Sequence, residues 1–115
     1  MDNCIFCQIA RKEVPAKILL ENDEIIAFED INPVAPVHIL VIPKRHVNNI
    51  MDPVLAAEEQ LAAKIFSAIQ EIGEKTGIKQ EGFRVVVNRG PKAGETVPHL
   101  HFHLIGGRDL TWPPG

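Results

Sequence analysis

Three of the five histidines in this 115-residue chain stand at alternate positions, His99, His101 and His103. Side chains alternate across a β-strand, so these imidazoles are expected on one face and the apolar residues Leu100 and Phe102 on the other. Imidazole titrates near neutral pH and can serve as a nucleophile, a proton-transfer group or a metal ligand. The spacing therefore indicates a strand with a core face and a reactive face. The alternative is an exposed polar face that is merely rich in histidine.

His101 is the central imidazole of the three and the natural candidate for a nucleophile. Neutral imidazole attacks phosphorus well, provided that its second nitrogen is held by an acceptor that fixes the tautomer. His99 and His103 flank it closely enough to contact the same phosphate, and either imidazole can supply the proton that a leaving group needs. His38, at the start of a predicted strand, either reaches the same site or only caps that strand.

A glycine-rich loop at residues 88–96 leads directly into the three histidines. Its glycines let backbone N–H groups approach an anion, and Thr96 adds a hydroxyl. Glycine-rich loops are often simple connections between strands, but the position of this one favours an anion site.

Cys4 and Cys7 form a Cys-x-x-Cys pair and are the only cysteines of the chain. Zinc commonly takes two thiolates together with two imidazoles. The alternatives are a redox pair, although no thioredoxin-like βαβ pattern surrounds it, and two cysteines packed inside a helix.

The elements that must position these residues follow from apolar runs and turn residues. Strands are predicted at residues 17–21, 24–28, 38–42 and 83–87 and in the triple-histidine segment. Residues 4–11 read as a short helix or turn. A long helix is predicted at residues 53–76, with Asp52 as its N-cap and Gly77 as its stop. The pattern is typical of an α+β fold with a roughly five-stranded, mainly antiparallel sheet, one long helix and a short N-terminal helix.

Charge and composition narrow the function classes. A formal net charge of −3 argues against a general binder of nucleic acid. The apolar runs are too short to span a bilayer, and the N-terminus lacks the pattern of a signal peptide. Two cysteines make a secreted disulfide framework unexpected. We therefore expect one soluble, cytoplasmic domain over residues 1–115, without a membrane or nucleic-acid partner.

Residues 99–105, in which histidines alternate with apolar residues, resemble the signature of the histidine-triad (HIT) family. The C-terminal residues 106–108 and 112–115 are similar to the histidine-triad nucleotide-binding (HINT) branch, and Asn88 stands where the fragile-histidine-triad branch has glutamine. The resemblance covers nearly the whole chain and includes residues 5–6, 9, 15–17, 27–31, 36–38, 41–46 and 85–88.

The resemblance implies a HIT-like fold and a homodimeric hydrolase of purine nucleoside phosphoramidates. Such an enzyme releases AMP through a nucleotidyl-histidine, here on His101. His99 and His103 would assist with phosphate contacts and protonation, and His38 would complete a proton relay. Alternatives are a dinucleoside polyphosphate hydrolase, or a purine-nucleotide-binding interaction module in which catalysis is incidental.

The same resemblance implies a set of nucleotide contacts. Asp30 would bind the ribose, and Phe6 and Ile31 would form walls around the base. Asn88 and Thr96 would hold the α-phosphate. Further contacts would come from Gly94 and Glu95 in the adjoining loop, from His101 and His103, and from Trp112 in a tail, residues 106–115, that lies near the partner subunit's site.

Two positions depart from the usual HINT pattern. Glu95 and Thr96 replace the more usual Gln-Ser, and Pro98 stands where an aromatic residue often precedes the histidines. Thr96 keeps the hydroxyl, but Glu95 adds a negative charge near an anion site.

Some bacterial HIT proteins carry the same Cys-x-x-Cys and bind zinc. The resemblance therefore implies that Cys4, Cys7, His46 and His99 form a structural zinc site, while catalysis itself requires no cofactor. If His99 binds zinc, its role is to orient the nucleophilic strand rather than to transfer protons.

Overall fold

The computed structural model describes residues 3–115, in which five strands form one antiparallel sheet. The strands lie in the order β1-β2-β3-β5-β4. They are β1 (Ile18–Glu21), β2 (Ile25–Glu29), β3 (Val37–Pro43), β4 (Phe83–Val86) and β5 (Phe102–Gly106). The helices are α1 (Ile5–Ala10), α2 (Val54–Ala57), α3 (Glu59–Thr76) and α4 (Ile78–Glu81), and a 3₁₀ turn spans Pro91–Ala93. The predicted α+β class, five-stranded antiparallel sheet, long helix and short N-terminal helix are confirmed.

The two faces of the sheet are buried by different helices. One face packs against α3, and the core between them includes Ile25, Val41, Ile65, Ile72, Leu100, Phe102 and Leu104. The other face packs against α1, and the core between them includes Phe6, Ile9, Phe28, Leu40 and Ile42. Because α1 is only six residues long, it covers less of its face than the eighteen-residue α3 covers of the opposite face.

The prediction of one continuous helix at residues 53–76 is wrong at its start. Asp52 Oδ1 accepts a hydrogen bond from the Val54 N–H at 3.1 Å, as a capping residue does. However, Glu58 has φ −117° and ψ 84°, which separates α2 from α3. The Glu58 carboxylate forms a two-pronged ion pair with Arg45, at 2.8 and 2.7 Å. No glycine or proline marks residue 58, so the local sequence does not signal this break.

The histidine segment also differs from a simple strand. Strand β5 begins at Phe102, so His99 and His101 precede it. The Leu100 N–H donates to the Val47 carbonyl oxygen at 2.7 Å, outside the ladder of the sheet. The predicted alternation is nevertheless present, because Leu100, Phe102 and Leu104 all belong to the α3-side core.

No helix among residues 3–115 combines the length and the apolar character that crossing a lipid bilayer requires.

Substitution by alanine is expected to change the free energy of unfolding in opposite directions at two buried glycines, Gly106 and Gly73. A Cβ at Gly106 would lie 2.9 Å from Ile78 Cγ2 and 3.3 Å from Phe83 Cβ, whereas one at Gly73 would meet the Phe83 ring at 3.7 Å. We expect Gly106→Ala to lower the free energy of unfolding by about 1–3 kcal/mol through overpacking. Gly73→Ala should raise it by roughly 0.5–1 kcal/mol, because alanine suits a helix interior better. Urea unfolding of both variants measures this, and equal stability of the two would contradict the packing described for β5 and α4.

Candidate active site

The three alternating imidazoles lie on the α1 side of the sheet, opposite the α3-side core. The Phe6 ring of α1 packs edge-on against His99 and His101, with ring centroids 5.8 and 5.1 Å away. The His101 and His103 rings are 5.0 Å apart. His99 is fully buried and His101 is 6% exposed. His99 and His101 are therefore enclosed by protein, whereas His103 is half-buried.

One hydrogen bond fixes the tautomer of His101. Its Nδ1 lies 2.7 Å from the carbonyl oxygen of His99. A carbonyl oxygen only accepts, so Nδ1 carries the hydrogen and donates it. Nε2 therefore holds a free lone pair, which is the state that a nucleophilic imidazole requires.

A second chain of hydrogen bonds fixes the tautomer of His103. The Val34 N–H donates to His38 Nδ1 at 3.1 Å, so the hydrogen of neutral His38 is on Nε2. That nitrogen lies 2.9 Å from His103 Nδ1 and 3.4 Å from Asp30 Oδ2. Since His103 Nδ1 accepts from His38, the hydrogen of neutral His103 is on Nε2.

Burial keeps both members of this pair neutral in the free protein. It lowers the pKa of His103 to about 4, with the neighbouring His101 and His38 imidazoles adding to the effect and Asp30 opposing it. Burial also lowers the pKa of His38, again partly offset by Asp30. The pair can thus present an N–H from His103, whose ring centroid lies 5.0 Å from that of His101.

His101, His103 and Asp30 border a cavity of about 780 Å³ on the α1 side of the sheet, whereas His38 is not among its lining residues. Its other polar lining residues are Lys17, Glu29, Asn32 and Thr96. Its apolar walls include Phe6, Ile9, Phe28, Leu40 and Val97. The volume lies within the usual range for small-molecule sites, and the mixture of apolar walls and a few polar groups is also typical of them.

A second cluster, which we call the Cys₂His₂ cluster, consists of Cys4, Cys7, His46 and His99. One ligand atom from each residue lies within 4.8 Å of the others. Cys4 Sγ is 3.3 Å from His99 Nδ1, and Cys7 Sγ is 3.3 Å from His46 Nδ1. The second nitrogen of each imidazole is already engaged, because Nε2 of His99 donates to the Pro43 carbonyl and Nε2 of His46 donates to Asn48. Both Nδ1 lone pairs therefore point into the cluster.

The protonation states suit a metal ligand set. Burial lowers the pKa of His99 to about 4, so its imidazole is neutral at pH 7. Burial and the neighbouring Cys4 raise the pKa of the Cys7 thiol. A cation would have to displace the thiol protons, as metal binding to cysteine requires. Two thiolates and two neutral imidazoles match the tetrahedral donor set of structural zinc, so the residues present fit this metal.

Sequence comparison identifies the family. The HIT domain profile matches residues 11–110. This chain belongs to the HIT family. It is 46% identical over 114 residues to an uncharacterised HIT-like protein of Synechococcus elongatus, covering 99% of this chain and 98% of that protein.

Solved HIT structures share the fold over nearly the whole chain. A HIT family hydrolase from Legionella pneumophila is 43% identical with a TM-score of 0.94, covering 98% of this chain and all of that one. A histidine triad nucleotide-binding protein from Candida albicans is 29% identical with a TM-score of 0.85, covering 96% of this chain and 83% of that one.

The structure divides the nucleotide contacts that the HIT resemblance suggested into two groups. The cavity is lined by six of them, Phe6, Asp30, Ile31, Thr96, His101 and His103. Asn88, Gly94, Glu95 and Trp112 are not among its lining residues. Asn88 still has a defined relation to the site. The β4–β5 register ends at the pair of Val86 with His103, and Asn88 lies two residues beyond that pair.

Glu95 is directed into its own loop. Its Oε1 accepts from the Gly90 N–H at 2.9 Å and lies 3.4 Å from Arg89 Nη1. The Glu95 N–H in turn donates to the Gly90 carbonyl oxygen at 3.1 Å. The carboxylate therefore closes the loop beside Thr96, and its charge is partly balanced by Arg89.

Trp112 lies in the C-terminal tail, residues 106–115, and its side chain is 82% exposed. The tail is held against the sheet by Arg84, whose Nη2 donates to the Thr111 carbonyl oxygen at 2.8 Å. Arg108 adds a bond from Nε to the Val34 carbonyl oxygen at 2.9 Å.

Sequence reasoning missed the apolar walls contributed by Phe28, Leu40 and Val97. A signal for the first two was present, because alternation in a strand puts Phe28 on the same face as Asp30 and Leu40 on the same face as His38. No periodic pattern marks Val97, which follows the glycine-rich loop.

The lowered pKa of His103 predicts a pH-dependent stability. The folded pKa of about 4 lies below the ordinary value of 6.5, so the unfolded chain binds more protons between these two values. The free energy of unfolding should therefore fall as the pH drops from about 6.5 to 4. We expect His103→Asn to make this fall shallower, as measured by urea unfolding across that range. An unchanged pH dependence in the variant would contradict the buried, neutral state of His103.

Proposed function

We propose that this HIT protein hydrolyses purine nucleoside phosphoramidates through a covalent nucleotidyl-His101 intermediate. The observation that carries the proposal is the hydrogen bond from His101 Nδ1 to the His99 carbonyl oxygen, at 2.7 Å. It leaves the Nε2 lone pair for attack on phosphorus, in a residue that lines the cavity. The Legionella relative is described as a hydrolase and the Candida relative as nucleotide-binding, which supports the same reading.

In the first step, His101 Nε2 attacks the phosphorus atom and the P–N bond of the substrate breaks. The leaving amine needs one proton. The His38–His103 pair takes up this proton as the anionic substrate binds, because the substrate phosphate and the nearby Asp30 carboxylate both favour a cationic imidazole. His103 Nε2 then donates it to the departing nitrogen.

The intermediate carries a positive charge on the nucleotidyl-imidazole of His101. The His99 carbonyl oxygen continues to accept from Nδ1–H and stabilises that charge. In the second step, water attacks the phosphorus atom, the bond to Nε2 breaks, and the proton released by water returns to His103. The products are a nucleoside monophosphate and regenerated His101.

The cavity walls support a nucleoside as the bound group. The Phe6 and Phe28 rings meet edge-to-face at 5.7 Å and offer apolar surface for a purine base. Asp30 lines the same cavity, and one of its carboxylate oxygens, Oδ1, already accepts from the Asn32 N–H. Its other oxygen, Oδ2, lies 3.4 Å from His38 Nε2. This oxygen can also accept a hydrogen bond from a sugar hydroxyl. The residue type of Asn88 supports the HINT branch, because the fragile-histidine-triad branch has glutamine at this position.

The Cys₂His₂ cluster holds a structural zinc ion in this proposal. A zinc ion there would join α1 to the backbone around His99, since Cys4 and Cys7 belong to the start of α1. That helix also carries Phe6, which contacts His101 and lines the cavity. A zinc ion bound by these residues would hold in place both the cavity wall at Phe6 and the His99 carbonyl oxygen, which accepts from His101. The role of the zinc is structural, and the proposed reaction itself uses no cofactor.

A homodimer is the proposed assembly, with the partner meeting the β4 side of the sheet. Strand β4 is an edge strand. Phe83 and Val85 of β4 are exposed apolar residues, and so is Trp112, which follows the Thr111 bonded to Arg84 of β4. An unpaired edge together with apolar surface favours association with a second chain.

The covalent step is tested by intact-mass measurement after brief incubation with an adenosine 5′-phosphoramidate. We expect the wild-type protein to gain one adenylyl group, and His101→Asn to gain none while its turnover falls on the order of 10⁴-fold. Retained AMP binding and unchanged thermal unfolding would show that the variant folds.

Two outcomes would contradict the proposal. One is turnover in His101→Asn equal to that of the wild type. The other is turnover of diadenosine triphosphate faster than that of the phosphoramidate, which would favour a dinucleoside polyphosphate hydrolase instead.

A further inference from the structure

The two imidazoles of the Cys₂His₂ cluster are oriented by different kinds of acceptor. His99 Nε2 donates to a backbone oxygen, that of Pro43, at 2.9 Å, and His99 is fully buried. His46 is only half-buried, and its Nε2 donates to a side chain, Asn48 Oδ1, at 3.1 Å. The orientation of His99 is thus built into the main chain, whereas that of His46 depends on one asparagine.

The backbone of Asn48 is held by Asp52. The backbone N–H of Asn48 donates to Asp52 Oδ2 at 3.2 Å, and the other carboxylate oxygen of Asp52 accepts from the Val54 N–H at the start of α2. These two backbone hydrogen bonds lower the pKa of Asp52, so its carboxylate is ionised at neutral pH. A continuous set of bonds therefore runs from the start of α2 through Asp52 and Asn48 to His46.

We propose that Asn48 is a positioning residue of the metal site, which acts through His46 and sets the affinity for zinc. The inference rests on the zinc site proposed above. By accepting from Nε2–H, the Asn48 amide oxygen selects the tautomer of His46 whose Nδ1 is free, and it aims that nitrogen at Cys7 Sγ, 3.3 Å away. Such supporting partners of metal-bound imidazoles typically change metal affinity about 10–100-fold when removed.

Without Asn48, His46 would lose this preference. The neutral imidazole could then carry its hydrogen on Nδ1 and rotate about its side-chain bonds, and both changes would have to be reversed when a metal binds. The His46 ring does pack edge-on against His99 at 4.8 Å, but this contact does not select a tautomer. The expected loss is therefore in metal affinity and not in the fold of the metal-free protein.

The chain offers a matched control in the next residue. Asn49 is also an asparagine, and its Oδ1 accepts from the Met51 N–H at 2.8 Å. Asn49→Ala therefore removes a side-chain amide from the same loop without removing the acceptor of His46. Asn48→Asp is the conservative variant, because a carboxylate also accepts from Nε2–H and is a common partner of metal-bound histidine.

The test measures zinc dissociation constants of the full chain by competition with a chromophoric chelator at fixed pH. We expect Asn48→Ala to bind zinc about 10–100-fold more weakly than the wild type, and Asn48→Asp to bind at least as tightly as the wild type. Asn49→Ala should match the wild type. Each alanine variant loses one exposed side-chain hydrogen bond, so metal-free Asn48→Ala should unfold at no lower temperature than metal-free Asn49→Ala.

Zinc binding by Asn48→Ala with the wild-type constant would overturn the role of Asn48 and leave the zinc site standing. Equal weakening by Asn48→Ala and Asn49→Ala would also overturn it, since a general disturbance of the loop would then suffice. A wild-type protein that binds no zinc would refute the zinc site itself, and the inference with it.

Discussion

The hydrogen bond between His101 Nδ1 and the His99 carbonyl oxygen is the interaction on which the rest of the site depends. It determines which nitrogen of His101 has a free lone pair and holds the ring towards the cavity. The acceptor is a main-chain atom of a residue whose own side chain is fully buried and bonded at both nitrogens. The nucleophile is therefore oriented by a backbone atom. A flexible side-chain acceptor would hold the ring less firmly.

His99 connects the two polar clusters of the molecule in this way. Its side chain belongs to the Cys₂His₂ cluster, and its carbonyl oxygen accepts the hydrogen bond of His101. Phe6 makes a second connection, because it follows Cys4 in α1 and packs edge-on against both His99 and His101. The start of α1 and the histidine segment thus form one unit, in which anchoring the cysteines also holds a wall of the cavity in place.

Much of this arrangement could be predicted from the sequence, because alternation is a local property. The spacing of His99, His101 and His103 predicted a shared face, and the apolar residues between them do lie in the opposite core. The break at Glu58 could not be predicted in this way, because it accompanies an ion pair with Arg45 from a distant part of the chain. The late start of β5 likewise accompanies a hydrogen bond to Val47, which no local pattern reveals.

The site was predicted unevenly for the same reason. Cys4 and Cys7 suggested a metal from their spacing alone, but only the family resemblance brought in His46 and His99. The sequence predicted a negative charge of Glu95 near an anion site, but it did not reveal that the carboxylate turns back to accept from the Gly90 N–H. Local patterns thus identified the chemistry, while hydrogen bonds that residue type alone does not reveal decide how each group is aimed.

The most direct test of the account is the tautomeric state of the histidine rings, measured by long-range ¹H–¹⁵N correlation NMR of the free protein at pH 7. The account predicts that His101 carries its hydrogen on Nδ1, with an unprotonated Nε2, and that His38 and His103 carry theirs on Nε2. A His101 ring protonated at Nε2 would contradict it, because the lone pair required for attack on phosphorus would then be absent.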